Sequence, residues 1–170
     1  MTLPGKLLPL ALCVAPALLA HPARGQKPKE AFTLTGRWET RQIGFAITPA
    51  TPDSVRDQLD NPEIADLNQA IFLGEAHLTV EFRPDSTYEF TIVRDGRNFR
   101  TETGTYSLAG NHLRASSPGS ADGSSFNDQL VQRLARRTLV LAFPVGPELP
   151  GVDEEVEYRR VGPYPAPEKK

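Results

Sequence analysis

Arg100 and Glu102 fall on the face of one predicted strand that also carries Tyr106 and Leu108, because side chains two apart along a strand point the same way. A charge on an inward face survives only when it is paired or when a ligand completes it. The two residues therefore read either as part of an anion trap or as a self-satisfied core network. Gln132, in phase with Leu130 and Leu134, is a third inward polar candidate. The same inward faces carry Tyr88, Phe90, Ile92, Tyr106, Leu113, Leu139, Leu141 and Phe143. That lining suits a small apolar or amphipathic molecule, such as a fatty acid, with Arg100 and Gln132 fixing its polar head. The wider arginine groups, Arg94 with Arg97 and Arg133 with Arg136 and Arg137, read as solubility and cross-strand pairing with Glu89, Glu102 or Glu157.

Reactive chemistry is poorly supplied. His77 and His112 lie on different predicted strands with no carboxylate at ligand spacing, so both read as surface histidines rather than metal ligands or bases. The chain has no Gly-x-Ser-x-Gly, no phosphate-cradling glycine loop and no His-Glu-x-x-His. Asp122-Gly123 with Asp128 falls short of a calcium loop, and Asp153, Glu154 and Glu155 read as a solvated acidic face. Lys6, Lys27, Lys29, Lys169 and Lys170 all lie near the ends, which leaves no lysine for Schiff-base chemistry in between. The expectation is a non-catalytic protein with no metal and no cofactor.

The elements that position these residues follow from length and pattern. A chain of 170 residues fits one domain, and a net charge of −2 argues against nucleic acid as partner. Lys6 followed by the apolar stretch 7–20 and small residues has the layout of a secretory signal peptide, too short to span a bilayer. Cleavage after Gly25 would leave Gln26 as the first residue, and cleavage after Ala20 would leave His21. Either site predicts a secreted or periplasmic protein without cysteine, since Cys13 lies inside the apolar stretch. Removal of Lys6 and Arg24 with residues 1–25 takes the net charge to −4.

Residues 26–33 read as a flexible lead-in and 34–47 as a first strand. Thr51-Pro52-Asp53 and Asn61-Pro62-Glu63 both look like helix starts, and Ile64, Leu67 and Ile71 make an apolar stripe stopped by Gly74. A small helical insertion over 52–73 follows. Strand alternation then begins, with Ala76, Leu78, Val80 and Phe82 on one face against His77, Thr79 and Glu81 on the other. Asp95-Gly96 is a hairpin signal. Further strands are predicted to about residue 108, then over 112–116, 126–135, 138–143 and 154–161, with a small-residue loop at 117–125 and a disordered tail at 162–170. Eight successive strands with short links predict an all-β, antiparallel up-and-down barrel over residues 34–161.

Five motifs in order carry a resemblance: Leu34-Thr35-Gly36-Arg37-Trp38, the stretch 78–82 turning into Tyr88-Glu89-Phe90, Gly104-Thr105-Tyr106, the stretch 138–141, and Tyr158-Arg159-Arg160. This order resembles the lipocalin-like domains of secreted bacterial proteins, within the calycin group of barrels. The resemblance implies that Trp38, set by Gly36, closes one barrel end under an arginine from near the chain's end, Arg160 in preference to Arg159. It also implies a ligand in the lumen. The alternative is a cell-envelope scaffold or protein-interaction barrel with a packed core. The helical pair is similar to the portal cover of fatty-acid-binding proteins.

Overall fold

The computed structural model describes residues 32–48, 51–56, 59, 61–121, 123–147 and 149–162. The predicted export segment, most of the lead-in and nearly all of the tail lie outside the described residues. Within them the chain forms β1 (Gly36–Ile47), α1 (Asp53–Arg56), α2 (Pro62–Leu73), β2 (Ala76–Phe82), β3 (Thr87–Arg94), β4 (Arg97–Ala109), β5 (His112–Ser116), β6 (Gln129–Leu134), β7 (Thr138–Pro144) and β8 (Val152–Val161). Each strand pairs antiparallel with the next, and β8 pairs back with β1, so one sheet of eight strands closes in a ring. None of the described helices is long and apolar enough to cross a membrane.

Local sequence explains the joints. In β2 the alternation is literal: Ala76, Leu78, Val80 and Phe82 are buried, while His77 and Glu81 face solvent. Between β3 and β4, Asp95 and Gly96 both take positive φ, 51° and 71°, the backbone of the primed turns that match strand twist. Asn61 caps α2 by accepting from the Glu63 and Ile64 amides, Pro62 occupies its first turn, and Gly74 ends it at φ 75°.

Thr51 behaves differently from its twin motif. Its hydroxyl accepts from the Thr48 amide and donates to the Gly151 carbonyl, both at 3.1 Å. The side chain thus ties the chain to the β7–β8 loop instead of capping a helix, and α1 has only four residues.

Helix α2 repairs a gap in the ring. β1 pairs with β2 only over Gly36–Glu39, yet it continues along β8 to Ile47 after a bulge between Thr40 and Gln42. Backbone groups freed by that separation must find other partners. Asn68 supplies them: its side-chain oxygen accepts from the Ile43 amide at 2.8 Å and its side-chain nitrogen donates to the Ile43 carbonyl at 2.7 Å. Ile64, Leu67 and Ile71 pack beneath, against the core. Replacing Asn68 with leucine should cost about 1–3 kcal/mol by stranding both groups. Amide exchange at Ile43 should accelerate; unchanged exchange would show that the helix is held by its apolar stripe alone.

At the end where β1 begins, Trp38 is fully buried and its indole nitrogen donates to the Leu34 carbonyl at 2.7 Å. The Arg160 guanidinium carbon lies 4.0 Å from the centroid of the Trp38 ring. Arg160 also donates to the carbonyls of Thr33, Thr35 and Arg136, at 2.7, 2.7 and 3.0 Å. Arg159 turns outward to Glu39. Gly36, at φ 131°, takes a backbone conformation that a side chain rarely tolerates, which lets the strand enter over this closed end.

Candidate functional site

The residues predicted to line a lumen meet one another. Tyr88, Leu113, Leu139 and Leu141 have no accessible surface, Phe90 has little, and Ile92, Tyr106 and Phe143 pack against them from the rim. Tyr106 sets its ring edge-on to Phe82 at 4.9 Å and donates its hydroxyl to the Arg83 carbonyl at 2.8 Å. The centre is filled by a residue that sequence periodicity assigns to a strand. Phe126 lies in the loop before β6, fully buried, with its ring 5.7, 5.6 and 5.2 Å from those of Phe82, Tyr88 and Phe90.

Two expectations need correction. β6 begins at Gln129 rather than at residue 126, because Asp128 takes a positive φ of 56° that turns the chain from loop into strand. Gln132 is exposed, not inward: the register slips between Val131 and Arg133, and such a bulge reverses the phase that placed Gln132 beside Leu134. Gln129 is the buried glutamine, donating to the Ser125 carbonyl at 2.6 Å.

Arg100 and Glu102 do share a network, and it is closed. The Glu102 side chain is 1% exposed and receives the Arg100 guanidinium at 2.8 Å. It also accepts from the Tyr88 hydroxyl at 2.5 Å, the Ser125 amide at 3.0 Å and the Ser125 hydroxyl at 2.7 Å. Burial pushes this carboxyl up, but the hydrogen bonds from Tyr88 and Ser125 outweigh it and hold the group below the ordinary carboxylate range. Burial and the neighbouring carboxylate push the Tyr88 phenol up to about 12. Ser124 completes the set, 2.6 Å from the Tyr88 hydroxyl. With four donors on one carboxylate, the pair matches the self-satisfied alternative, and no ligand is required to complete it. Sequence analysis missed Ser124, Ser125 and Phe126; the signal was the lone large apolar residue that ends a run of small ones.

Glu154 was also missed. It is in phase with the buried Val152, Val156 and Tyr158, and its cross-strand neighbours are Phe45 on β1 and Phe143 on β7. Burial pushes its carboxyl up. The three residues form one row across β1, β8 and β7 near the helix-bearing end.

Clefts also lie outside the core, and two of them matter here. One, of about 360 Å³, crosses the outer face of β1 to β3 and is lined by Arg37, Glu39, His77, Thr79, Glu81 and Glu89, among others. Glu39 there meets His77 and Arg159, each at 2.8 Å. Exposed pairs of this kind contribute little stability, and among the described residues no cluster has the make-up of a metal site. The other, of about 480 Å³, runs along β4 between Arg100, Thr101, Glu102 and Thr103 on one side and Ser117, Gly119, Ser120 and Ala121 on the other. β4 pairs with β5 only from Thr105 onward. The chain turns away after Ser116 and anchors itself by the Ser117 hydroxyl, which donates to the Thr103 carbonyl at 2.9 Å.

Compared with protein-family models, curated proteins and solved structures, the chain matches none.

Proposed function

We propose that this chain is an exported, lipocalin-like up-and-down barrel with a packed interior, which works as a non-catalytic protein-interaction module of the cell envelope or its surroundings. The observation that carries the packed reading is Phe126, whose ring occupies the centre of the aromatic cluster while Ser125 beside it hydrogen-bonds Glu102, the partner of Arg100. A ring of eight strands is just wide enough for side chains to fill, and these side chains form one buried cluster. Recognition then belongs to loops and strand edges. The lipocalin-like assignment is supported by the order of the five motifs together with the Trp38–Arg160 stack at the closed end.

An environment-sensitive apolar dye tests this reading. The folded wild-type protein should show no saturable dye binding, and Phe126→Ala should open a cavity that takes up benzene where the wild type does not, since dry apolar cavities bind small apolar molecules. Saturable binding to the wild type, reversed by a fatty acid, would replace the packed module with a carrier.

A second reading, a small-ligand binder, is favoured by the row of Phe45, Glu154 and Phe143. A carboxylate in register with a phenylalanine on each neighbouring strand suits a cationic amphiphile, not the anionic head that Arg100 implied from sequence. In the same assay, displacement by a long-chain amine but not by the matching acid would select it.

A further inference from the structure

We infer that the edge of β4 at Thr101 and Thr103 docks an extended segment of a partner polypeptide, which adds to the sheet as an extra strand. The inference rests on the packed-module reading and names its site and partner class.

The register fixes which backbone groups are available. In an antiparallel ladder, residues alternate between those bonded to one neighbouring strand and those bonded to the other. The Tyr106 amide donates to the Ser86 carbonyl, and the β3–β4 register then places Gly104, Glu102 and Arg100 opposite Tyr88, Phe90 and Ile92. The backbone groups of these even-numbered residues face β3. Those of Thr101 and Thr103 face the other way, the side on which β4 pairs with β5 from Thr105 onward. Among the described residues, no strand pairs with that stretch of β4 on the side facing away from β3, and the Thr103 carbonyl accepts from the Ser117 hydroxyl. The edge opens into the cleft of about 480 Å³ rather than onto a flat surface.

The cleft also selects its occupant. Unpaired strand edges template another strand, and addition of an extended peptide to such an edge is a recurring recognition mode. A second wall, formed by Ser117, Gly119, Ser120 and Ala121, stands opposite the edge. At the start of the edge, Phe99 is the extra residue in a register slip, opposite neither Ile92 nor Val93, and it is 81% exposed. It offers an aromatic surface to an apolar partner residue. Arg100 lines the cleft with its side chain 40% exposed, whereas Glu102 is closed off at 1%. The segment that fits is therefore extended, with an apolar residue near an acidic one.

The probe is a synthetic peptide of alternating valine and threonine with one central aspartate, titrated into the full-length protein and followed by amide chemical shifts and hydrogen exchange. The peptide should move the Thr101 and Thr103 amide signals and slow exchange at Thr101, and replacing its aspartate with lysine should weaken binding. Thr101→Pro removes a donor on the open side, where no β3 bond is lost, and should weaken binding about tenfold or more. Ala121→Trp, which narrows the cleft from its other wall, should do the same without touching the sheet. Wild-type affinity in both variants, shifts mapping elsewhere, or no binding would overturn the edge site. Concentration-dependent protection of Thr101 without peptide would overturn the choice of partner in favour of a second copy. Dye uptake by the wild-type interior would overturn the packed reading while leaving these edge signals unaffected, so the two failures are distinguishable.

Discussion

Replacing Trp38 with alanine should destabilise the protein by about 3–5 kcal/mol, a large part of the 5–15 kcal/mol typical of a folded domain. The size follows from what one side chain does. Its ring is fully buried, its indole nitrogen satisfies the Leu34 carbonyl, and its face carries the Arg160 guanidinium, a contact worth about 0.5–2 kcal/mol on its own. Arg160 in turn bonds three backbone carbonyls of the segments that close that end. Removing the ring leaves a cavity beneath a cation that has lost its support. Trp38→Phe keeps much of the volume but forfeits the indole hydrogen bond, so it should cost clearly less. Urea unfolding of both variants and of Arg160→Lys measures the series. A loss under about 1 kcal/mol for Trp38→Ala would mean the closed end contributes little to stability.

The pairing of Trp38 with an arginine from near the chain's end came from the motif resemblance, and strand phase chose Arg160 over Arg159. At the helix-bearing end, Asp95-Gly96 was legible from the positive φ that its turn demands. The strand count came from alternation. What alternation could not reveal were slips in phase. The bulge after Thr40 turns Ile43 inward and frees the Ile43 backbone for Asn68, and the slip after Val131 turns Gln132 outward. Composition misled at Glu154, where an acidic run suggested solvent although the strand phase of Val152 and Val156 pointed inward. The candidate site was hardest to read because it joins distant segments. Glu102 is completed by Ser125, twenty-three residues away in sequence, and small residues in a loop carry no periodic signal of where they point.

The Glu102 network gives the second large effect, and its pH dependence has a definite sign. Glu102→Ala would leave the Arg100 guanidinium, the Tyr88 hydroxyl and both Ser125 donors without their acceptor, and breaking a buried charged network from one side costs about 3–5 kcal/mol. Glu102→Gln preserves the shape but presents an amide where four donors converge, so it should cost about 1–3 kcal/mol. Because hydrogen bonds hold the folded carboxyl below its ordinary value, the stabilisation is complete above the unfolded carboxylate range, about pH 4.3. It is lost as pH falls through the lower folded value, since protonation then favours the unfolded chain. The stability gap between wild type and Glu102→Gln should therefore stay constant from neutral pH to about pH 5 and narrow below it. At the alkaline end the sign reverses: with the Tyr88 phenol pushed up to about 12 from an ordinary 10.0, the unfolded chain releases that proton first, and wild-type stability falls as pH rises across this interval. Removing the carboxylate relieves part of that shift, so the gap should narrow there as well. Urea midpoints across the pH range decide the matter: a gap that does not change in acid would mean that the Glu102 carboxyl titrates alike in the folded and unfolded chain, and a gap that widens in acid would mean that the fold favours its protonated form.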